Sequence, residues 1–181
     1  MHDDFLNYWR RVRGRTLALA TTIPNGLVNW SPGHGAMTTG DTLRHLAVTE
    51  RWLFVEVAQG GTSSYVSHGP ELGSSLPAIL ELLNRHHADS TAILEGFREE
   101  DWHRSIVTPA GATMASWKWL RAMIEHEAHH RGQLYLMLRL CGVRTPALFG
   151  MTSEDVRASA DAGLSTASAT VKPASEGAES H

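Results

Sequence analysis

The stretch Met123-Ile124-Glu125-His126-Glu127-Ala128-His129-His130-Arg131-Gly132-Gln133 decides how this chain is read. It lies in the fourth and longest predicted helix, from Ser116 as cap to Cys141, with Gly142 in the C′ position and Pro146 beyond. An α-helix turns by about 100° per residue, so His126 and His130 nearly eclipse and can reach one cation together. HEAHH also matches the HExxH pattern of zinc helices, in which the intervening glutamate acts as general base. Glu127 is therefore the catalytic candidate, to orient a ligand or activate water, set against the plainer expectation of a solvated carboxylate. His129 projects about 60° from His126 and about 100° from His130, off their face.

Trp119, Leu120, Met123, His126, His130, Leu134 and Met137 form one stripe, apolar apart from its two histidines, and that stripe should face a helical core. Buried imidazoles need partners, because an unpaired polar group in a core costs on the order of 1–3 kcal/mol. A divalent cation satisfies both rings at once. A third ligand must come from a facing helix, and His45 is the best placed. Three histidines leave a coordination position open, the arrangement of a catalytic rather than a structural site.

Working outward, residues 4–22 read as a first helix, with Phe5, Trp9, Val12, Thr16 and Leu19 inward and Arg10, Arg11, Arg13 and Arg15 on a solvated side. Thr38 or Thr39 caps a second helix, with Asp41 in its first turn, running to about Ala58 and stopping at Gly60-Gly61. Ser74 or Ser75 caps a third, with Pro77 near its start and Gly96 near its end. Residues 98–115 break the helical period and read as a short hairpin around Pro109-Ala110-Gly111. These elements predict an all-α, antiparallel four-helix bundle with a hairpin excursion before the last helix. His86 and His87 straddle the core boundary of the third helix. The tryptophans, Trp52 and Trp119 among them, are candidates for core packing or a pocket wall.

The chain has 181 residues with 16 basic against 19 acidic side chains, a net charge of −3 that argues against nucleic-acid binding. Cys141 is the single cysteine, which excludes an internal disulfide and a thiolate zinc cluster. The first residues lack an apolar signal region and no run suits a bilayer, so a cytoplasmic location and no membrane partner are expected. From Ala158 to His181, 16 of 24 residues are Ala, Ser, Thr or Gly. That composition suggests a folded domain over residues 1–157 and a flexible tail over 158–181.

The segments TLRHLAVTERW (42–52), IVTPAGAT (106–113) and MIEHEAHHRGQLYLMLRLCGV (123–143) resemble the DinB/YfiT family of damage-inducible-type bundles. The resemblance implies a down-up-up-down course, a homodimer, and a divalent metal, commonly zinc or nickel, on His45, His126 and His130. Iron or copper also suits imidazole ligands. By the same resemblance, the activity expected is transfer of a low-molecular-weight thiol to an electrophile. The alternatives are hydrolysis of a small amide or ester, or a non-enzymatic, metal-stabilised stress protein.

Overall fold

The computed structural model describes residues 2–169 of the chain. Helix α1 spans His2–Ala20. The second rod, α2, is α-helical over Thr39–Thr49, widens to a π-helix over Glu50–Val55 and returns to α over Glu56–Ala58. Helix α3 is Leu76–Glu95, the short α4 is Glu99–His103, and α5 is Ser116–Leu140. Strands β1 (Ser105–Val107) and β2 (Thr113–Ala115) pair antiparallel, Ile106 opposite Met114. The hairpin expected before the last helix is thus present, preceded by the additional turn α4.

Local chemistry explains the helix starts. Thr38 Oγ1 accepts from the Asp41 N–H at 3.0 Å, and the Asp41 carboxylate accepts from the Thr38 N–H at 3.3 Å, a capping box that seeds α2. Ser75 Oγ accepts from the Ala78 N–H at 3.4 Å, with Pro77 in the first turn of α3. At α5 the expected cap is wrong by one residue. The N-cap is Ala115, and Ser116 is already helical. The hairpin feeds straight into the helix, so Ser116 instead donates its N–H to Arg104 O at 2.9 Å and its hydroxyl to Ala58 O at 3.3 Å.

Two apolar layers fix the course of the chain. One gathers Leu19 at the end of α1, Leu43 and Leu46 at the start of α2, Ile79 and Leu83 at the start of α3, and Leu134 and Leu138 at the end of α5. The other gathers Leu6 and Trp9 at the start of α1, Phe54 and Ala58 at the end of α2, Leu94 at the end of α3, and Leu120 and Ile124 at the start of α5. Hence α1 and α5 run one way while α2 and α3 run the other: down, up, up, down. Each fully buried leucine contributes roughly 1.5–3 kcal/mol.

Between these layers lies a polar waist. Arg13, Thr16, Thr49, Glu50, Glu127, His130 and Arg131 are all buried. Arg13 is ion-paired with Glu50 and, at 3.4 Å, with Glu127. Thr16 Oγ1 donates to Glu127 Oε1 at 2.6 Å, and Arg131 Nη1 donates to Val12 O at 3.2 Å. His87 Nδ1 stands 3.3 Å from Glu50 Oε2, and its ring meets the edge of Trp9. Arg13 is therefore not part of a solvated arginine face. It leaves that face because two carboxylates from α2 and α5 need its charge.

At the α1–α2 connection Gly40 donates its N–H to Val28 O at 2.8 Å, and a Cβ there would lie 2.9 Å from both Val28 O and Val28 Cγ1. The chain divides into two compact units between Thr145 and Pro146. The second contains α6, Ser153–Ala169, whose start is capped by Thr152 and Asp155. This helix crosses position 157/158, where the composition changes. An alanine-rich segment behind a capping box is a good helix former. Residues 170–181 of the expected tail lie outside the described residues.

Candidate metal centre

His45 stands on the α-helical part of α2, and His126 and His130 stand four residues apart on α5, which runs antiparallel beside it. One ring nitrogen from each of the three lies within 4.8 Å of the others. His45 Nε2 is 3.0 Å from His126 Nε2. The ring centroids of His45 and His130 are 4.7 Å apart, and those of His126 and His130 are 4.5 Å apart. Phe54 packs on His126 at 5.3 Å, and Trp119 donates its indole N–H to Phe54 O at 3.1 Å. That carbonyl belongs to the π-helical segment Glu50–Val55.

A hydrogen bond to Gln133 sets which nitrogen of His130 carries the proton. Gln133 Oε1 only accepts, so His130 donates from Nδ1 at 2.7 Å and its Nε2 lone pair is free. His45 Nδ1 is 3.3 Å from the Tyr65 hydroxyl, which itself lies 2.5 Å from His68 Nδ1. Burial, with the neighbouring imidazoles, holds His45 down to about 3 and His126 to about 4. His130 is lowered in the same direction, chiefly by burial. Neutral rings whose nitrogens converge on one point suit a divalent cation, because a metal takes the imidazole lone pair.

Glu127, the catalytic candidate, stands elsewhere. It is neither solvated nor a member of the three-histidine group, because its carboxylate is buried against Arg13 and Thr16 of α1. Neighbours on a helix diverge by about 100°, so the residue next to His126 faces a different rod. His129 is exposed, touching only the edge of His130 in this cluster. His86 is buried against the edge of Trp52, and His87 serves Glu50. Trp102 packs in the core with Phe5 and Phe97.

Sequence reasoning missed Tyr65, His68, Arg44 and Gln133. Gln133 was within reach of the helical wheel, one turn beyond His130. Tyr65 and His68 sit in an irregular connection, where no periodicity marks a face.

Four rods in this order, with histidines converging from two of them, define a helical bundle with a three-histidine group between two of its rods. The chain belongs to the DinB superfamily, whose family model matches residues 8–134. It is 29% identical over 143 residues to YjoA of Bacillus subtilis (strain 168), described as uncharacterized, covering 77% of this chain and 90% of YjoA. A DinB-like protein of Bacillus cereus ATCC 10987 superposes with a TM-score of 0.71 at 18% identity, over 80% of this chain and 95% of the other. YfiT of Bacillus subtilis superposes with a TM-score of 0.65 at 14% identity, over 79% and 89%. YfiT is described as a probable metal-dependent hydrolase with an unusual four-helix bundle topology. These structural likenesses show the shared fold. Among the described residues, no helix is long and apolar enough to cross a membrane.

Proposed function

We propose that this chain is a metal-dependent enzyme that holds a divalent cation, zinc or nickel, on His45, His126 and His130 and transfers a low-molecular-weight thiol to an electrophile. The observation that carries the metal reading is the convergence of three neutral imidazoles, with two of their Nε2 atoms 3.0 Å apart. A divalent cation supplies the charge that deprotonates a coordinated thiol, or lowers the pKa of water toward about 7.

The chain's own residues do the rest. The three imidazoles bind without adding charge, and Gln133 orients His130. Phe54 packs against one side of the His126 ring. With Glu127 committed to Arg13, the histidine group contains no carboxylate base. A thiol nucleophile, whose free pKa is about 8.5, needs such a base least. A second reading, hydrolysis of a small amide or ester, is favoured by the description of YfiT as a probable metal-dependent hydrolase. A homodimer and a cytoplasmic location belong to the same proposal.

Incubating zinc- or nickel-loaded protein with glutathione, bacillithiol or mycothiol and a model electrophile should consume free thiol. Cleavage of amide or ester substrates without thiol turnover would select the second reading. No turnover of either kind, with a large fall in melting temperature on chelation, would make the ion structural.

A further inference from the structure

The spacing of His126 and His130 is set by their own helix, but the third ring arrives from another rod and must be held separately. An imidazole presents either nitrogen as a lone pair, and only one choice serves a site into which His45 turns Nε2. The connection after α2, residues 62–69, is what reaches the other nitrogen. It crosses back over α2 as an extended strap. Ser64 N–H and Ser63 Oγ both donate to Trp52 O at 3.0 Å, and Ser64 N–H also donates to the Glu56 carboxylate at 3.2 Å. Arg44, beside His45 and only 1% exposed, closes the far end. Its Nε donates to His68 O at 2.9 Å and its Nη1 to Gly73 O at 2.7 Å.

The strap places Tyr65 between two histidines. A phenol has one proton to give. Its hydroxyl lies 2.5 Å from His68 Nδ1 and 3.3 Å from His45 Nδ1, and a neutral His68 with an unprotonated Nδ1 takes the phenol proton across the shorter contact. Toward His45 the oxygen therefore accepts. His45 must then carry its proton on Nδ1, leaving the Nε2 lone pair facing His126. Ring contacts agree: Tyr65 and His68 stack at 17°, and His45 meets each of them edge-on, at 89° and 83°.

We propose that Tyr65 is a positioning residue of the metal centre, locking His45 in its metal-binding tautomer through a bond whose direction His68 sets. This deepens the metal reading above and rests on it. Outer-shell partners of metal-binding histidines typically account for 10–100-fold in metal affinity.

The test compares wild type with Tyr65→Phe, His68→Leu and His68→Gln in zinc competition titrations and in the visible spectrum of the cobalt form. Tyr65→Phe keeps the ring packing, so the metal-free melting temperature should stay unchanged while zinc affinity falls about 10–100-fold and the cobalt bands shift. His68→Leu should weaken zinc binding too, because the phenol proton is then free to turn toward His45. His68→Gln, whose amide oxygen can accept, should restore it. Nitrogen-15 spectra of the metal-free protein supply a separate readout: His45 should be protonated at Nδ1 in wild type and shift toward Nε2 in Tyr65→Phe. Wild-type zinc affinity and an unshifted cobalt spectrum in Tyr65→Phe would overturn the proposal. So would an unchanged His45 tautomer. A wild-type protein that binds neither zinc nor cobalt, yet shows the expected tautomers, would sink the metal reading and leave the lock standing.

Discussion

Arg13 Nη2 lies 3.4 Å from Glu127 Oε2, and each residue is 2% exposed. The pair ties α1 to the same turn of α5 that carries His126 and His130. The middle of α5 therefore works on two sides: imidazoles toward α2, and a glutamate and an arginine toward α1. The wheel stripe built on Trp119, Leu120, Met123, His126 and His130 captures the first side. The second side, Ile124, Glu127, Arg131 and Leu138, is equally buried.

Removing Arg13 leaves Glu50 and Glu127 buried without their shared counter-charge. Arg13→Ala should cost roughly 3–5 kcal/mol in urea unfolding. Glu127→Gln keeps an oxygen for Thr16 and should cost about 1–2 kcal/mol, with zinc affinity within about twofold of wild type. Calorimetric titration checks the second half. Strong loss of zinc binding in Glu127→Gln would place that residue in the metal site after all.

Each of His45→Ala, His126→Ala and His130→Ala should weaken zinc binding by more than about 100-fold, beyond what outer-shell changes produce. Zinc at about 100 times its Kd should stabilise the wild-type fold by about 2.7 kcal/mol. The triple variant should show no zinc-dependent shift in denaturation midpoint. A shift retained there would locate the cation elsewhere.

The same rings predict a pH dependence. Folding lowers His45 to about 3 and His126 to about 4, while unfolded histidine titrates near 6.5. Between those values the unfolded chain holds more protons, so stability rises with pH. The contribution is complete above about pH 6.5 and is lost progressively as pH falls toward the folded values. The urea midpoint of metal-free protein should drop between about pH 7 and pH 5, and His45→Gln should flatten that slope. A flat wild-type profile would contradict the half-buried, neutral state of the two rings.

Gly40→Ala tests the packing beneath α2. The added methyl would press on the Val28 carbonyl, which is backbone and cannot swing aside. A loss of about 1–3 kcal/mol is expected, the usual cost of overpacking. The substitution improves helix propensity, so a gain in thermal stability would show that the connection yields.

How much of this was legible follows from where the signals sit. His126 and His130 announced themselves because helical spacing alone puts them together, and His45 because it lies on a helix that can face theirs. Thr38 with Asp41 and the hairpin around Gly111 were readable from local chemistry. Arg13 was not: arginine on a helix of four arginines reads as solvated, and only the opposing carboxylates bury it. The π-helical turn at Glu50–Val55 leaves no pattern in ERWLFV. Tyr65 and His68 matter through a strap whose path depends on long-range anchors such as Arg44.

His45 and His126 meet across 81 residues of chain, so an ion joining them would cross-link distant segments after both rods have docked. Contacts absent from the folding transition state slow unfolding rather than speed folding. On that account a loaded centre acts as a late fastener: the metal would lengthen the lifetime of the native molecule while leaving its refolding rate nearly untouched.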